Sequence, residues 1–454
     1  MLKHRLFSPL RRHLMEPLDA LRSGTPFLNY WKELERTQYL PEAALRRVQW
    51  ERLTDLLAYV WDNNEFYRER MEQAGLTPET VTSPEEFRKI PVLSKECIRQ
   101  NTLAMISRGY DVGSLMKFKT GGSTGKSLEI YLTEECSERR NACARRHDRW
   151  AGWNPGEPIG AVWGNPELPR DMKSRIKDWF LSPVIYLDTM SVTEASVRAF
   201  AAEWKQVQPT LLYGHAHSIF VLAEFVRELG LSSITPKGIL STSMMLMPHE
   251  RRTIESVFGI KVTDRYGCEE VSLIASECEK HEGMHLNIEH LYVEFLRDDG
   301  SPAASGEPGA IVVTDLMNRA MPFIRYRVED VGVPSDRKCS CGRGLPLMES
   351  VTGRVADFLV KSDGARVAGV SLIENTLTCF HGIEQMQIHQ QEIDAIKIRL
   401  VTGAEFNYDI SMGLIAYFKR VFGHDMNVDI EFVDKIKPEK SGKYRFSICD
   451  LKIL

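Results

Sequence analysis

From residue 159 onward, short apolar runs alternate with longer helix-like ones, and a chain so patterned has few ways to bury both. Ile159 to Trp163, Val184 to Leu187, Thr210 to Tyr213, Gly238 to Ser241 and Lys261 to Arg265 read as strands, with helices over 193–207, 215–229 and 248–258 between them. This alternation predicts a parallel sheet covered by helices. Ligand sites of such sheets form beyond the carboxyl ends of the strands. Shorter strands at 290–296 and 309–314 predict a β-rich subdomain appended to the sheet. Upstream, residues 40–75 read as helices, because Val48, Leu53, Leu56, Leu57, Val60 and Trp61 recur at three- and four-residue steps.

The 454 residues are about three times a typical domain, which predicts one large domain and a smaller one. The second unit starts near Gly353-Arg354. After it come a strand at Phe358 to Lys361, a turn at Ser362-Asp363-Gly364, a helix over 370–380, two strands within 384–401, a helix near 407–421 and a strand at 427–433. The fold class is therefore α/β. A large N-terminal domain, residues 1–352, has mixed parallel sheets, covering helices and the β-rich subdomain, and a hinge joins it to a small α+β domain, residues 353–454.

With 43% hydrophobic and 26% charged residues and a net charge of −4, the chain lacks the basic excess of a dedicated nucleic-acid binder. It has no apolar run long enough for a transmembrane helix and no signal-peptide pattern at its start. A cytoplasmic location is expected, with the nine cysteines reduced or metal-bound. The basic, partly amphipathic start (Lys3, Arg5, Arg11 and Arg12 with Leu2, Leu6, Phe7 and Leu10) reads as a helix docked on the main body rather than one lying on a membrane.

Between two strand-like runs lies Lys119-Thr120-Gly121-Gly122-Ser123-Thr124-Gly125-Lys126-Ser127. The hydroxyls of Thr120, Ser123 and Thr124 can donate, Gly121, Gly122 and Gly125 let backbone N–H groups approach an anion, and Lys126 adds charge. The spacing from Gly121 to Gly125 is one residue too short for the P-loop of common NTPases, and the next segment, Leu128 to Leu132, alternates like a strand rather than a helix. The expectation is a hairpin that folds over a triphosphate.

Three further stretches carry chemistry. Asp264-Arg265-Tyr266-Gly267-Cys268-Glu269-Glu270 follows a predicted strand and offers paired carboxylates that can hold Mg2+ on a nucleotide. Phe323-Ile324-Arg325-Tyr326-Arg327-Val328-Glu329-Asp330 places Asp330 after a strand, where a carboxylate can accept from vicinal ribose hydroxyls. Ser441-Gly442-Lys443-Tyr444-Arg445 sets a lysine on a small-residue loop. Together with the glycine-rich loop these resemble, in order, the motifs of the adenylate-forming superfamily of acyl-CoA synthetases, luciferases and adenylation domains. The wording at 322–330, with Glu277-Cys278, Gly283-Met284-His285 and Cys339-Ser340-Cys341-Gly342-Arg343, is similar to the phenylacetate-CoA ligase-like branch and its CapK-like relatives from capsular-polysaccharide loci.

The resemblance implies roles. Residues 120–126 would hold the β and γ phosphates of ATP, with Tyr266, Gly267 and Glu269 in the nucleotide site, Glu270 catalytic and on Mg2+, Asp330 on ribose and Lys443 the catalytic lysine. Glu269 stands where the family has a hydroxyl residue. Gly353-Arg354-Val355-Ala356-Asp357 resembles the hinge motif, with Arg354 in the nucleotide site and either Ala356 or Asp357 as the pivot. The implied activity joins a carboxylic acid to the α-phosphate of ATP, releases pyrophosphate and passes the acyl group to a thiol, CoA first among them. An amine, a hydroxyl or a carrier protein as acceptor, or an inactive zinc-stabilised nucleotide-binding homologue, remain the alternatives; the acid and the oligomeric state are open.

Cys339 and Cys341 put two thiolates on one turn, and Cys278 with His285, or with His281 at the shorter spacing, would complete a structural Cys3His zinc site. Trp163-Gly164 and Tyr213-Gly214-His215-Ala216-His217 lie at predicted strand ends and are candidates to line an acyl pocket. Cys97, Cys136, Cys143, Cys379 and Cys449 read as core fillers.

Overall fold

The computed structural model describes residues 7–119, 128–164, 183–352, 357–436 and 445–451. Its strands, in chain order, are β1 (Met116–Lys119), β2 (Glu129–Leu132), β3 (Ile159–Trp163), β4 (Val184–Asp188), β5 (Leu211–His215), β6 (Gly238–Thr242), β7 (Val262–Cys268), β8 (Ser272–Glu277), β9 (Met284–Leu286), β10 (Leu291–Leu296), β11 (Gly309–Asp315), β12 (Tyr326–Ser335), β13 (Leu347–Thr352), β14 (Phe358–Val360), β15 (Arg366–Ala368), β16 (Ile383–Glu392), β17 (Ala395–Thr402), β18 (Asn427–Phe432) and β19 (Ser447–Cys449).

Eleven of them form one sheet in the order β10-β11-β12-β13-β9-β8-β7-β6-β5-β3-β4. The strands from β7 to β4 run parallel, as the alternating pattern predicted, and their helices are Glu194–Val207, Ala216–Glu228 and Pro248–Phe258. The other half is antiparallel. The β-rich part is thus continuous with the parallel sheet rather than appended to it, because β7 pairs with both halves. Where a helix crosses the parallel half, Gly160 gives it room: a Cβ there would stand 2.1 Å from the Trp204 ring.

The upstream helices, Glu42–Asn63 and Glu65–Gln73, pack on the antiparallel half. Leu45, Leu53, Leu56, Leu57 and Val60 line the buried stripe of the first helix, and each contributes about 1.5–3 kcal/mol by leaving water. Asn64 breaks that helix with extended backbone and caps the next, its side chain accepting from the Tyr67 N–H. At the N-terminus, Arg11 is buried and donates to the Gly156 carbonyl, and Arg12 donates to that of Pro155. These bonds dock the helical start on the body, while Leu10, Leu14, Leu18 and Leu21 face outward.

Residues 357–451 build a mixed sheet in the order β18-β17-β16-β19, flanked by helices Gly369–Cys379 and Tyr408–Phe422, with β14 and β15 as a separate hairpin. Their apolar side chains (Phe358, Leu372, Ile388, Phe418) join one core with Val162, Leu222 and Ile254 from the parallel half. The expected division at 352/353 abuts residues 353–356, outside the described residues, as are Arg354 and the Ala356 alternative for the hinge; Asp357 holds the Cys449 N–H. Among the smaller expectations, Cys136 and Cys143 are buried, but Cys379 is exposed at the end of its helix and fills no core. No described helix is long and apolar enough to cross a membrane.

Candidate active site

β7 is the switch point of the sheet, and the second motif lies on it. Tyr266, Gly267 and Cys268 belong to the strand itself rather than to a loop following it. β7 runs parallel to β6 as far as Ser241↔Asp264, then antiparallel to β8 from Arg265↔Ser276 to Cys268↔Ser272. At Gly267 a Cβ would sit 2.6 Å from the Ser272 carbonyl, so the strand can close on β8 only without a side chain there. The turn beyond presents Glu269, exposed, and Glu270, 3% exposed.

Arg140, on the helix Glu134–Trp150, braces this turn. Its Nη2 donates to the Glu270 carbonyl at 2.9 Å and to Asp315 at 2.8 Å. In front, the Tyr326 hydroxyl donates to Glu270 Oε1 at 2.9 Å, and the Tyr266 hydroxyl donates to Asp330 Oδ2 at 2.8 Å. Two motifs more than fifty residues apart in the chain are therefore tied by reciprocal tyrosine–carboxylate bonds. Burial and the Glu270 charge push the Tyr326 phenol well above its ordinary range, so it stays a donor.

Asp330 lies inside β12, not after a strand as expected. The register with β11 slips between Ala310 and Val312, leaving a bulge at residues 328–330, and a bulge re-aims side chains without ending the strand. Within it Glu329 takes a left-handed φ of 75°. The buried Lys95 ammonium pairs with Glu329 at 2.9 Å.

Two cavities open beside this cluster. A small one of about 50 Å3 is walled by Tyr266, Asp330, Asp264 and Met244. A larger one of about 330 Å3 is bounded by Trp163 and Tyr213, their rings stacked at 5.3 Å, and by Phe118 and Leu132 of the β1/β2 hairpin. Of the candidate acyl-pocket residues, Trp163 and Tyr213 thus line a cavity. His215 lies buried against Trp163 with ring centroids 3.9 Å apart, and His217 turns away to Glu250 at 2.5 Å.

β1 and β2 form the expected antiparallel hairpin, from Met116↔Leu132 to Lys119↔Glu129. The residues between them assigned to phosphate, Thr120, Gly121, Gly122, Ser123, Thr124, Gly125 and Lys126, lie outside the described residues, as does Lys443. Glu270 fits a magnesium ion as one carboxylate among phosphate and water oxygens, the ligand set that ion prefers.

The four residues Cys278, His285, Cys339 and Cys341 come together with their ligand atoms all within 4.8 Å of one another. Cys278 Sγ and Cys339 Sγ stand 3.6 Å apart, and Cys341 Sγ is 3.3 Å from His285 Nε2. The set has the chemistry and spacing of a tetrahedral Cys3His centre. Backbone N–H groups of Lys280 and Arg343 donate to Cys278 and Cys341, and His285 Nδ1 meets the Leu345 carbonyl at 3.1 Å, which orients Nε2 inward. Although burial works the other way, the His285 and Arg343 hydrogen bonds hold the Cys341 thiol down to about 6. His281 is outside the cluster, bonded to Glu277 at 3.3 Å; the choice between the two histidines falls on His285.

Arg140, Asp315 and Lys95 escaped sequence reading. Each acts on a partner more than a hundred residues away, and an arginine in a predicted helix carries no local sign of such a role. Tyr326 stood inside a recognised phrase, but its bond to Glu270 depends on how β7 and β12 face each other.

Residues 359–450 match the model of the CapK C-terminal domain. Over 429 residues the chain is 24% identical to protein CapK of Staphylococcus aureus, covering 93% of each. It is 27% identical to phenylacetate-coenzyme A ligase of Thermus thermophilus over 344 residues, 73% of this chain and 74% of that one. A crystal structure of 2-hydroxyisobutyryl-CoA ligase in complex with 2-HIB-AMP and CoA, in the thioesterification state, has the same fold, with a TM-score of 0.61, 18% identity and 92% of both chains covered. Residues 359–450 thus belong with the CapK C-terminal domain, and the chain as a whole is similar to CapK and to the phenylacetate-CoA ligases of the adenylate-forming superfamily.

Proposed function

We propose that the protein activates a carboxylic acid with ATP and then hands the acyl group to a thiol, CoA in the first instance. In the first step a carboxylate oxygen attacks the α-phosphorus, the bond to the β-phosphate oxygen breaks, and pyrophosphate leaves an acyl adenylate. In the second the sulfur attacks the acyl carbon and AMP departs. The observation that carries this reading is the convergence at the β7 switch point of Tyr266 with Asp330 and of Tyr326 with Glu270, bonded in pairs beside two cavities.

Asp330 would receive the ribose hydroxyls, with Tyr266 orienting its carboxylate. Glu270, fixed by Tyr326 in front and Arg140 behind, would hold Mg2+ on the nucleotide. Residues 120–126 would receive the β and γ phosphates, and Tyr266, Gly267 and Glu269, with Arg354 from the hinge, would border the nucleotide. Lys443 would offset the charge that develops at the α-phosphate, where a preorganised cation has its greatest effect. Rotation of residues 353–454 about the Arg354–Asp357 hinge would then withdraw Lys443 and admit the thiol, since one site serves two successive reactions. The Cys3His cluster would hold zinc with four protein ligands, a structural ion outside the chemistry.

With the right acid the protein should exchange labelled pyrophosphate into ATP. Lys443→Ala should lower exchange by about 100-fold or more while ATP affinity stays within a factor of about three. Unchanged exchange would remove Lys443 from the mechanism. Adding CoA or hydroxylamine after adenylation separates a CoA ligase, which turns over only with CoA, from an enzyme with another acceptor.

A further inference from the structure

The two cavities beside β7 share three lining residues: Ser243, Arg265 and Gly267. Gly267 has no side chain and Ser243 a single hydroxyl, so Arg265 is the charged group common to both. It is 8% exposed. Its Nη1 donates to Asp148 at 2.8 Å and its guanidinium lies 5.3 Å from the centre of the Tyr213 ring. Its Nε is buried without a hydrogen-bond partner, and no hydrogen bond is formed by its Nη2 among the described residues. The nitrogens left over are the side edge of the guanidinium, the pair of parallel N–H donors that takes a carboxylate in a two-point fork.

Arg140, which also lines the larger cavity, has its terminal nitrogens committed. Nη1 and Nη2 go to the Glu269 and Glu270 carbonyls and to Asp315, and the residue braces the turn. Arg265 keeps its fork. One parallel pairing beyond Ser241↔Asp264 on β7, it also stands on the sheet face shared by Thr242 and Tyr213, both of which line the larger cavity.

Resting on the adenylation reading above, we propose that the free side edge of Arg265 binds the carboxylate of the substrate acid and holds it at the junction of the acyl cavity and the nucleotide cavity. The position suits the chemistry. Activation needs the carboxylate oxygen brought from the acyl side to the α-phosphate on the nucleotide side, and Arg265 faces both. Asp148 keeps the guanidinium oriented from behind, and the Tyr213 ring packs beside it. Asp148 already balances the charge of Arg265, so an incoming carboxylate is held by the two N–H donors of the fork rather than by net charge. The acid is thereby bound through its reacting group, with the Trp163 and Tyr213 rings left to select its acyl part.

The test measures ATP–pyrophosphate exchange with phenylacetate, benzoate, butyrate and lactate for the unaltered protein, Arg265→Gln, Arg265→Lys and Asp148→Asn, with AMP affinity by calorimetry on each. Arg265→Gln should raise the KM for the best acid by about 20-fold or more, because two charge-assisted bonds are lost, with AMP affinity within a factor of about two. Arg265→Lys, a point charge without a fork, should recover only part of it. Asp148→Asn should lower the melting temperature and raise the acid KM by only about three-fold, because the brace weakens while both donors of the fork remain. An unchanged acid KM in Arg265→Gln overturns the assignment. So does an equal loss of acid and AMP binding, or an acid KM raised as much by Asp148→Asn as by Arg265→Gln, since either makes Arg265 a scaffold. If the unaltered protein binds AMP but exchanges pyrophosphate with none of the acids, adenylation of these acids fails, and this assignment with it.

Discussion

The Cys3His cluster and the tyrosine–carboxylate cluster both draw on the antiparallel half of the sheet, and they are built to opposite ends. In the first, four ligand atoms converge on one point and neighbouring backbone N–H groups and a carbonyl occupy the remaining directions. No position is left for a substrate. In the second, Tyr266 and Tyr326 each take one oxygen of a carboxylate, and cavities adjoin the cluster. A closed set of ligands returns its binding energy as stability, whereas carboxylates set beside a cavity direct theirs to a ligand.

The contrast breaks most sharply at the metal. Stripping the protein with a chelator, or Cys339→Ser, should take bound zinc from about one per chain to none and lower the melting temperature by more than about 10 °C, since a structural zinc site contributes folding energy outright. Native mass spectrometry and thermal unfolding read both. A stripped protein that melts where the loaded one does would put the two clusters in the same class. Glu270→Gln should do the reverse, leaving zinc content intact and the melting temperature within a few degrees while pyrophosphate exchange falls by about 100-fold.

Smaller changes sharpen the comparison inside the second cluster. The Tyr326 ring is fully buried and its hydroxyl serves the buried Glu270 carboxylate. Tyr326→Phe should therefore cost about 1–3 kcal/mol in denaturant unfolding, the penalty of a buried acceptor losing its donor. Tyr266 is only partly buried and water can replace its bond to Asp330, so Tyr266→Phe should cost about 1 kcal/mol or less and show itself as a raised KM for ATP. Equal costs would mean the two tyrosines are merely packing.

The same contrast accounts for what the sequence made legible. The parallel half follows from alternation, because β4, β5 and β6 are each followed in the chain by a helix. Both clusters could be named from their residue types: Cys339 and Cys341 sit on one turn, and Glu270 and Asp330 end recognisable phrases. Their surroundings could not. Whether His281 or His285 completes the thiolate set depends on which segment β13 lies beside, and β13 pairs with β9 at Leu347↔His285. The place of Asp330 turned on a bulge that shows in the ladder and not in the composition, and Glu329 gives no local sign of its left-handed backbone. The unspent edge of Arg265 became visible only once Asp148 was seen to take the other side.

The gentlest test uses pH. His215 is fully buried against Trp163, and burial lowers its pKa from 6.5 to about 3. Folded His215 therefore binds fewer protons than unfolded His215. Its contribution to stability is complete above the unfolded value near 6.5 and is lost as pH falls from there toward 3, at about 1.4 kcal/mol per unit. The Cys341 thiol, held at about 6 against an ordinary 9.0, works in a different window: in metal-free protein its contribution is complete above 9 and is lost as pH falls from 9 toward 6. His215→Phe, which keeps the ring contact with Trp163 without the titrating nitrogens, should reduce the stability lost between pH 7 and 5.5 by about 1.4 kcal/mol and leave the limb between pH 9 and 7 of the chelated protein unchanged. If the variant follows the parent through the acid limb, His215 is not neutral in the fold, and a buried charge lies against Trp163, whose other side borders the larger cavity.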